Sequence, residues 1–278
     1  MSIEKEFNYS SEHFDKIRNI VTAHSGIVLT DAKQDMVYSR LIRRLRKTGL
    51  ATFDEYCQLL EDPKHSEFTH FINAITTNLT SFFRENHHFE ILANQVLPEI
   101  IEKKSDSKRL RIWSAGCSTG MESYSIAMVV KELMENRADW DIKILATDLD
   151  TSVIETASQG IYDSDKITGI SEQRFNKWFR QGSGEFTGKV KISKELKSLI
   201  SFKPLNLLET FPFSGPMDII FCRNVVIYFD KDTQRLLFNK FANIHDNKGY
   251  LFIGHSETLY NVTNRYKLLK STVYQKIE

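Results

Sequence analysis

The chain is poor in the features that would place it quickly. Its only cysteines are Cys57, Cys117 and Cys222, odd in number, far apart and in no C-x-x-C pair. They read as reduced, buried thiols of a cytoplasmic protein and not as a disulfide framework. Lys and Arg number 37 against 36 Asp and Glu, so no net charge of either sign favours wholesale coating of nucleic acid. No apolar run approaches the roughly eighteen residues that cross a bilayer. The N-terminus, MSIEKEFNYS, has neither the basic nor the apolar region of an export signal. The expectation is a soluble cytoplasmic chain, not inserted in a membrane. With 278 residues it can form one large domain or two modest ones, each with an adequate core.

What is present falls into two parts. Residues 1–75 carry helical periodicity and no convincing strand. Ser11 can cap a helix with Phe14, Ile17, Ile20 and Val21 on one face, ending near Gly26. A second helix is expected over 31–47, with Tyr38, Leu41, Ile42 and Leu45 as its apolar stripe. Arg40, Arg43, Arg44 and Lys47, joined by Arg46, fall on the opposite face with no acid among them. This predicts a cationic ridge turned to solvent, either a plain solvated face or a docking surface for an acidic partner. Nucleic acid fits it poorly, because no aromatics are interleaved for stacking. Further helices are expected over 52–61 and 66–76.

Residues 76–95 read as a linker, ITTNLTSFFRENHH at its core, whose Asn, Thr and Ser favour a polar loop. Anchored by Phe82-Phe83 and carrying Arg84, it would make a wall for a cleft between two domains, or simply connect them. His87 and His88 are adjacent, so a helix would aim them about 100° apart, and no metal role is assigned.

Residues 96–278 alternate strands and helices. RIWSAGCSTG (111–120) is a strand entering a glycine-bounded turn, and Tyr124, Ile126, Ala127, Val130 and Leu133 follow at helical spacing. That order opens a nucleotide-binding α/β sheet. Gly116 and Gly120 permit a sharp turn and a close approach to a ligand. The segment lacks G-x-G-x-x-G but does match G-x-S-x-G, which keeps an α/β-hydrolase with Ser118, Asp218 and His255 as a second reading. A strand over 142–148 ends in Asp148, where a carboxylate beside the glycine turn can take both ribose hydroxyls. Further strands are expected near 198–203, 217–222 and 249–254, with an antiparallel edge in 266–277. Polar residues recur at these strand ends: Asp148, Asn206, Arg223-Asn224 and His255-Ser256. Ligands in open α/β sheets bind outside the carboxyl ends of the strands, so this recurrence locates a site. Residues of about 161–203 interrupt the alternation. QGSGEFTG (181–188), followed by Val190 and Ile192, predicts a small antiparallel insert whose edge could accept a peptide strand.

Six stretches in order, TTNLTSFFRE (76–85), RIWSAGCSTG with Glu122 and YSIAM (111–128), ATDLD (146–150), PLNLL (204–208), FCRNVVIYFD (221–230) and GYLFIGHSE (249–257), resemble the chemotaxis receptor glutamate methyltransferases, the CheR family. The similarity runs essentially the whole chain. Where family members typically have Glu-Glu-Pro after the glycine turn, this chain has Met121-Glu122-Ser123. The resemblance implies a Rossmann-like S-adenosylmethionine-dependent sheet with a small antiparallel β-insert, preceded by an all-α domain. It implies S-adenosylmethionine as cofactor, S-adenosylhomocysteine as product, no metal, and receptor glutamate side chains as substrate.

Carried over by motif, Asn78, Thr80 and Arg84 would close over the methionine part of the cofactor. Glu122 would lie near its amino group, Asp148 at the ribose, and Asn206-Leu207 beside the adenine. Arg223 and Asn224 complete the pocket, lined also by Gly116, and Tyr228 faces the transferring methyl. Arg84 and Tyr228 are thus the catalytic candidates. Arg84 could bind either the cofactor carboxylate or the incoming one. The basic residues of 31–47 would track acidic receptor helices, and the insert would hold a C-terminal receptor peptide. No nucleic-acid partner is expected. A non-catalytic module that binds a nucleotide or receptors is a further alternative.

Overall fold

The helical periodicity of the first third closes into a bundle with its own core. The computed structural model describes residues 6–277; the reading of the N-terminus as no export signal falls partly on residues 1–5, outside the described residues. Helices α1 (Ser11–Ser25), α2 (Gln34–Thr48), α3 (Phe53–Leu59) and α4 (Ser66–Ile75) follow in turn. Ser10, and not Ser11, caps α1: its hydroxyl accepts the His13 N–H, and the His13 ring accepts the Ser10 N–H at 3.0 Å. Ile17, Val21, Val37, Leu41, Leu45, Phe53, Tyr56 and Phe71 form the bundle core.

Leu41 and Leu45 of the predicted stripe are fully buried and Tyr38 and Ile42 pack against the core, but Val37 widens the buried face toward the basic residues, and this breaks up the cationic ridge. Arg44 forks onto buried Glu67 at 2.8 and 2.6 Å, and the Tyr56 hydroxyl donates to the same carboxylate at 2.9 Å. Arg40 donates to the carbonyls of Ile75 and Thr76, both at 2.7 Å, and so closes the C-terminus of α4. Arg46 pairs with Glu6. Of the five basic residues, Arg43 and Lys47 are exposed without a carboxylate partner among the described residues. The neutralising acids come from other elements, so the run of bases on α2 alone could not reveal them.

Helices α5 (His87–Ile91) and α6 (Leu97–Lys103) join through a π-turn at Leu92–Val96, where the sequence suggested a linker as far as residue 95. There follow β1 (Arg109–Ala115), α7 (Met121–Leu133), β2 (Asp141–Asp148), α8 (Thr151–Gln159), β3 (Ile161–Asp163), α9 (Glu172–Trp178), β4 (Phe179–Gln181), β5 (Lys189–Ile192), α10 (Lys194–Lys197), β6 (Ile200–Pro204), β7 (Met217–Cys222), α11 (Lys231–Ile244), β8 (His245–Ile253), β9 (Tyr266–Lys270) and β10 (Val273–Lys276). The main sheet has seven strands in the order β6-β2-β1-β7-β8-β10-β9. Its first five are parallel, and β10 runs antiparallel to both β8 and β9. The predicted insert is a separate three-stranded antiparallel sheet, β3-β5-β4, whose last strand ends at Ile192; β6, which starts within the expected bounds of about 161–203, pairs with β2 in the main sheet instead. Strand β7, MDIIFC, is buried at every position, as a strand covered on both faces should be.

Strand β8 starts at His245, directly after α11, four residues before the expected start at Gly249. The buried His245 ring explains this: Nε2 donates to the Tyr250 carbonyl at 3.0 Å and Nδ1 accepts from the Tyr266 hydroxyl at 2.8 Å. Burial lowers its pKa to about 3. Burial, reinforced by the nearby Arg223 charge, lowers that of His88 to about 4. Both histidines are therefore neutral in the folded protein at pH 7 and become protonated more readily when unfolded. A group with a depressed folded pKa of this kind favours the unfolded state as pH falls below its ordinary value near 6.5. Urea unfolding should show stability falling by about 2 kcal/mol between pH 7 and pH 5.5, two groups at about 1.4 kcal/mol per pH unit over the titrating range. Stability flat over that interval would mean that these histidines take up protons as readily in the folded protein as in the unfolded one.

Candidate functional site

Strand β1 lies between β2 and β7, so its carboxyl end is where the chain's connections diverge to opposite sides. A cleft opens there, where ligands of open α/β sheets bind. Asn78, Thr80, Arg84, Gly116, Glu122, Asp148, Asn206, Leu207, Arg223, Asn224 and Tyr228 all line it. Every residue proposed from sequence for the cofactor or for catalysis is thus brought to one place. Leu149, Leu205, Val225 and Phe229, from the same motifs, line it as well, and so do Ser25 and Ile27 from the end of α1 and just beyond, which no motif pointed to.

The sharp turn expected at Gly116 and Gly120 is present. Gly116 and Gly120 have φ of 80° and 85°, which only glycine adopts freely. A Cβ on Gly116 would come within 2.4 Å of Val225, and one on Gly120 within 2.8 Å of Ala157. The space beside them is filled by protein, so the glycines permit close packing of the strand-end loops, and Gly116 also lines the cleft. Ser118 follows with φ 49°. Its N–H donates to Asp148 Oδ2 at 2.7 Å, and Asp148 Oδ1 accepts the Asp150 N–H at 3.0 Å. Burial raises the Asp148 pKa against the pull of these two bonds. Each Asp148 oxygen keeps a further lone pair for a hydroxyl donor.

Asn78 and Thr76 donate to Asp150 at 2.7 and 2.8 Å, fastening the linker over the end of β2. Phe82 packs edge-on against Tyr162 and Phe179 of the insert, and Phe83 against Phe89. Arg84 stands between them and the helix that follows. Its Nη1 donates to the Leu79 carbonyl at 2.8 Å, and it has no carboxylate partner among the described residues. Asn206 spends its amide on the fold: Nδ2 donates to the His24 carbonyl at 2.7 Å and Oδ1 accepts the Leu208 N–H at 3.0 Å. It therefore ties the end of α1 to the sheet. The Val28 N–H donates to the Tyr228 carbonyl at 2.8 Å, and Lys33 lies 5.0 Å from the Tyr228 ring centroid.

Beneath the cleft, Arg223 is almost fully buried and ion-paired to Glu122 at 3.0 Å and Glu85 at 3.3 Å. Glu122 also accepts from Ser114 at 2.8 Å. Burial raises its pKa against the opposing effect of Arg223. The Arg223 Nε has no hydrogen-bond partner among the described residues. Glu257, absent from the sequence-based site although its HSE stretch was noticed, accepts the N–H groups of Asn224, Val225 and Val226 at 3.0, 2.9 and 3.0 Å, and that of Gly254. It thereby shapes the loop that carries Asn224, at φ 58°, and Tyr228.

Two further expectations change here. Ser118 Oγ donates to the Asn78 carbonyl at 3.1 Å, and His255 Nδ1 sits on Glu85 at 2.9 Å. Asp218 begins β7 at the opposite edge of the sheet, held by Lys104 and by the Arg111 N–H at 2.8 Å. The three do not meet, so there is no hydrolase triad. His87 and His88 do not diverge as ideal helical neighbours would: with Glu85 their ligand-capable atoms lie within 4.8 Å of one another. Glu85 sits in a left-handed turn just before the helix, which folds the three together. The Arg223 guanidinium beside them opposes a cation there, and no metal role is assigned.

The comparisons with known proteins agree with this geometry. Residues 12–76 match the family described as CheR methyltransferase, all-alpha domain, and residues 78–275 match CheR methyltransferase, SAM binding domain. The chain is 43% identical over 267 residues to a chemotaxis protein methyltransferase of Escherichia coli (strain K12), covering 95% of this chain and 91% of that one. It is also 43% identical to a probable chemotaxis protein methyltransferase of Rhizobium etli, covering 86% of this chain and 89% of that one. With a chemotaxis protein methyltransferase of Borreliella burgdorferi it is 41% identical, covering 97% of this chain and 95% of that one. Among the described residues no helix is long and apolar enough to cross a membrane. A mainly parallel sheet with its cleft at the strand ends, an all-helical module closing one side, and these matches along nearly the whole length lead to one conclusion: the chain belongs to the CheR methyltransferase family, enzymes of chemotaxis that use S-adenosylmethionine.

Proposed function

We propose that the protein transfers the methyl group of S-adenosylmethionine to glutamate side-chain carboxylates of methyl-accepting chemotaxis receptors, forming methyl esters. The observation that carries this reading is the absence of a free base among the cleft-lining residues. Asp148 accepts two backbone N–H groups, Glu122 is paired with Arg223, and burial holds Cys117 firmly as the thiol. No histidine or lysine lines the cleft. An alcohol or amide acceptor would need such a base, whereas a glutamate carboxylate, with an ordinary pKa near 4.3, is ionised already at neutral pH.

The residues present suit the cofactor. Asp148, buried with lone pairs to spare, would take the ribose hydroxyls. Glu122 would face the amino group, and Leu207 with the backbone at Asn206 would flank the adenine. The bound cofactor supplies a methyl made electrophilic by its positively charged sulfur. Arg84, with no carboxylate partner among the described residues, would orient a carboxylate in line, and Tyr228 would wall the reacting end. Holding two reactants in line can lower a barrier by roughly 7–11 kcal/mol without acid–base help.

Incubation with methyl-labelled S-adenosylmethionine and receptor-containing membranes tests the reading. The label should appear on the receptors and be released by mild base, as an ester is. Base-stable label, or label on nucleic acid, would overturn it. Arg43 and Lys47 remain the exposed cations of α2 and would meet acidic receptor helices. Transfer should therefore weaken with salt mainly through a rising KM for receptor, by less than five free cations would give. A rate indifferent to salt would remove α2 from docking. The free edge of the β-insert would accept a receptor C-terminal peptide by strand addition.

A further inference from the structure

Arg84 lies between two strained residues. Phe83 and Glu85 have φ of 52° and 55°, a left-handed region that side chains other than glycine rarely adopt. Such a conformation persists only where surrounding contacts hold it: the Phe83 N–H donates to Ser125 Oγ at 3.0 Å, and Glu85 is held through its own carboxylate. Glu85 Oε1 accepts from His255 Nδ1 at 2.9 Å and from Asn224 Nδ2 at 3.3 Å. Oε2 accepts the His255 N–H at 3.1 Å and lies 3.3 Å from Arg223 Nη2. That same Arg223 nitrogen donates to the Arg84 carbonyl. Burial opposes ionisation of Glu85, yet the bonds from His255 and the charge of Arg223 bring its pKa down to about 2. It is therefore a fixed anion at working pH. It clasps the linker to the loops that leave β7 and β8, and the backbone of Arg84 is caught in the clasp.

We propose that Glu85 is the positioning residue for Arg84: it fixes the strained turn that aims the guanidinium into the cleft, and touches neither cofactor nor substrate itself. This rests on the reading of Arg84 as the group that orients a carboxylate. Glu85 is ill suited to a direct role, because its oxygens are already engaged by His255, Asn224 and Arg223. A displacement of about 1 Å in a positioning group costs on the order of a hundredfold in rate.

A double-variant cycle on the full chain tests this, measuring kcat with labelled cofactor and receptor membranes. The proteins are wild type, Glu85→Gln, Arg84→Ala and the double variant, with thermal melts as a check on folding. Glu85→Gln alone should lower kcat by about ten- to a hundredfold. In the Arg84→Ala background it should change kcat by no more than about threefold, because there is no guanidinium left to aim. A purely structural role would give losses that multiply. If Arg84→Ala is impaired while the two losses multiply, or while Glu85→Gln keeps wild-type kcat, the positioning role is overturned and the reading of Arg84 stands. If Arg84→Ala is itself normal, that reading fails, and this inference with it. Should Glu85→Gln not fold, His255→Ala removes an exposed arm of the clasp and takes its place in the cycle, judged by the same criteria.

Discussion

Arg84→Ala is expected to reduce methyl transfer by about 10²–10³-fold while changing stability by no more than about 0.5 kcal/mol. The asymmetry follows from where the side chain spends its bonds. Among the described residues its side chain donates to the Leu79 carbonyl at 2.8 Å, on a partly exposed loop where water can replace it. Its remaining donors are left for a carboxylate inside the cleft. Arg84→Lys should recover little, because an ammonium cannot fork onto two oxygens. Initial rates set beside thermal melts check both halves. Near-normal transfer by the alanine variant would take Arg84 out of the mechanism, and a large loss of stability would mean that it braces the linker instead.

Glu257→Ala should give the opposite pattern, with stability falling by about 3 kcal/mol and cofactor affinity falling with it. The carboxylate gathers four backbone N–H groups from two strand-end loops. Each buried donor left unpaired costs about 1–3 kcal/mol, with some of that recovered where water enters the gap. The loop so released carries Arg223, Asn224 and Tyr228, all on the cleft wall. Gln at this position should be intermediate, since its amide oxygen still accepts while its NH₂ confronts other donors. Denaturant unfolding and calorimetric titration with S-adenosylhomocysteine measure the two effects. A loss below about 1 kcal/mol would mean that the loop is held by its packing.

The contrast between these two residues shows what a sequence can disclose about a site. Arg84 stands out because a lone arginine in a polar, aromatic-anchored loop has no local structural task. Glu257 looks like any acid in a turn, and its importance rests on N–H groups more than thirty positions earlier. Glu85 is hidden for the same reason, since Arg223, Asn224 and His255 reach it from far along the chain. The basic run on α2 misleads in the other direction. Spacing puts Arg40 and Arg44 on a polar face, but Val37 widens the buried face toward them, and Glu67 and the end of α4 are there to receive them.

The sequence by itself determined the order of elements, the parallel character of the buried strands, and the recurrence of polar residues at strand ends. Those properties are local: the period of apolar positions, the punctuation by Gly and Pro, and the chemistry of caps act over a few residues. Only the tertiary structure decided which charges are free and which are spent. An ion pair or a carboxylate gathering distant N–H groups depends on which strands become neighbours, and no periodicity carries that. Thus Arg84 has no carboxylate partner among the described residues while Arg44 and Arg223 are both ion-paired, a difference that no local pattern around the three arginines carries.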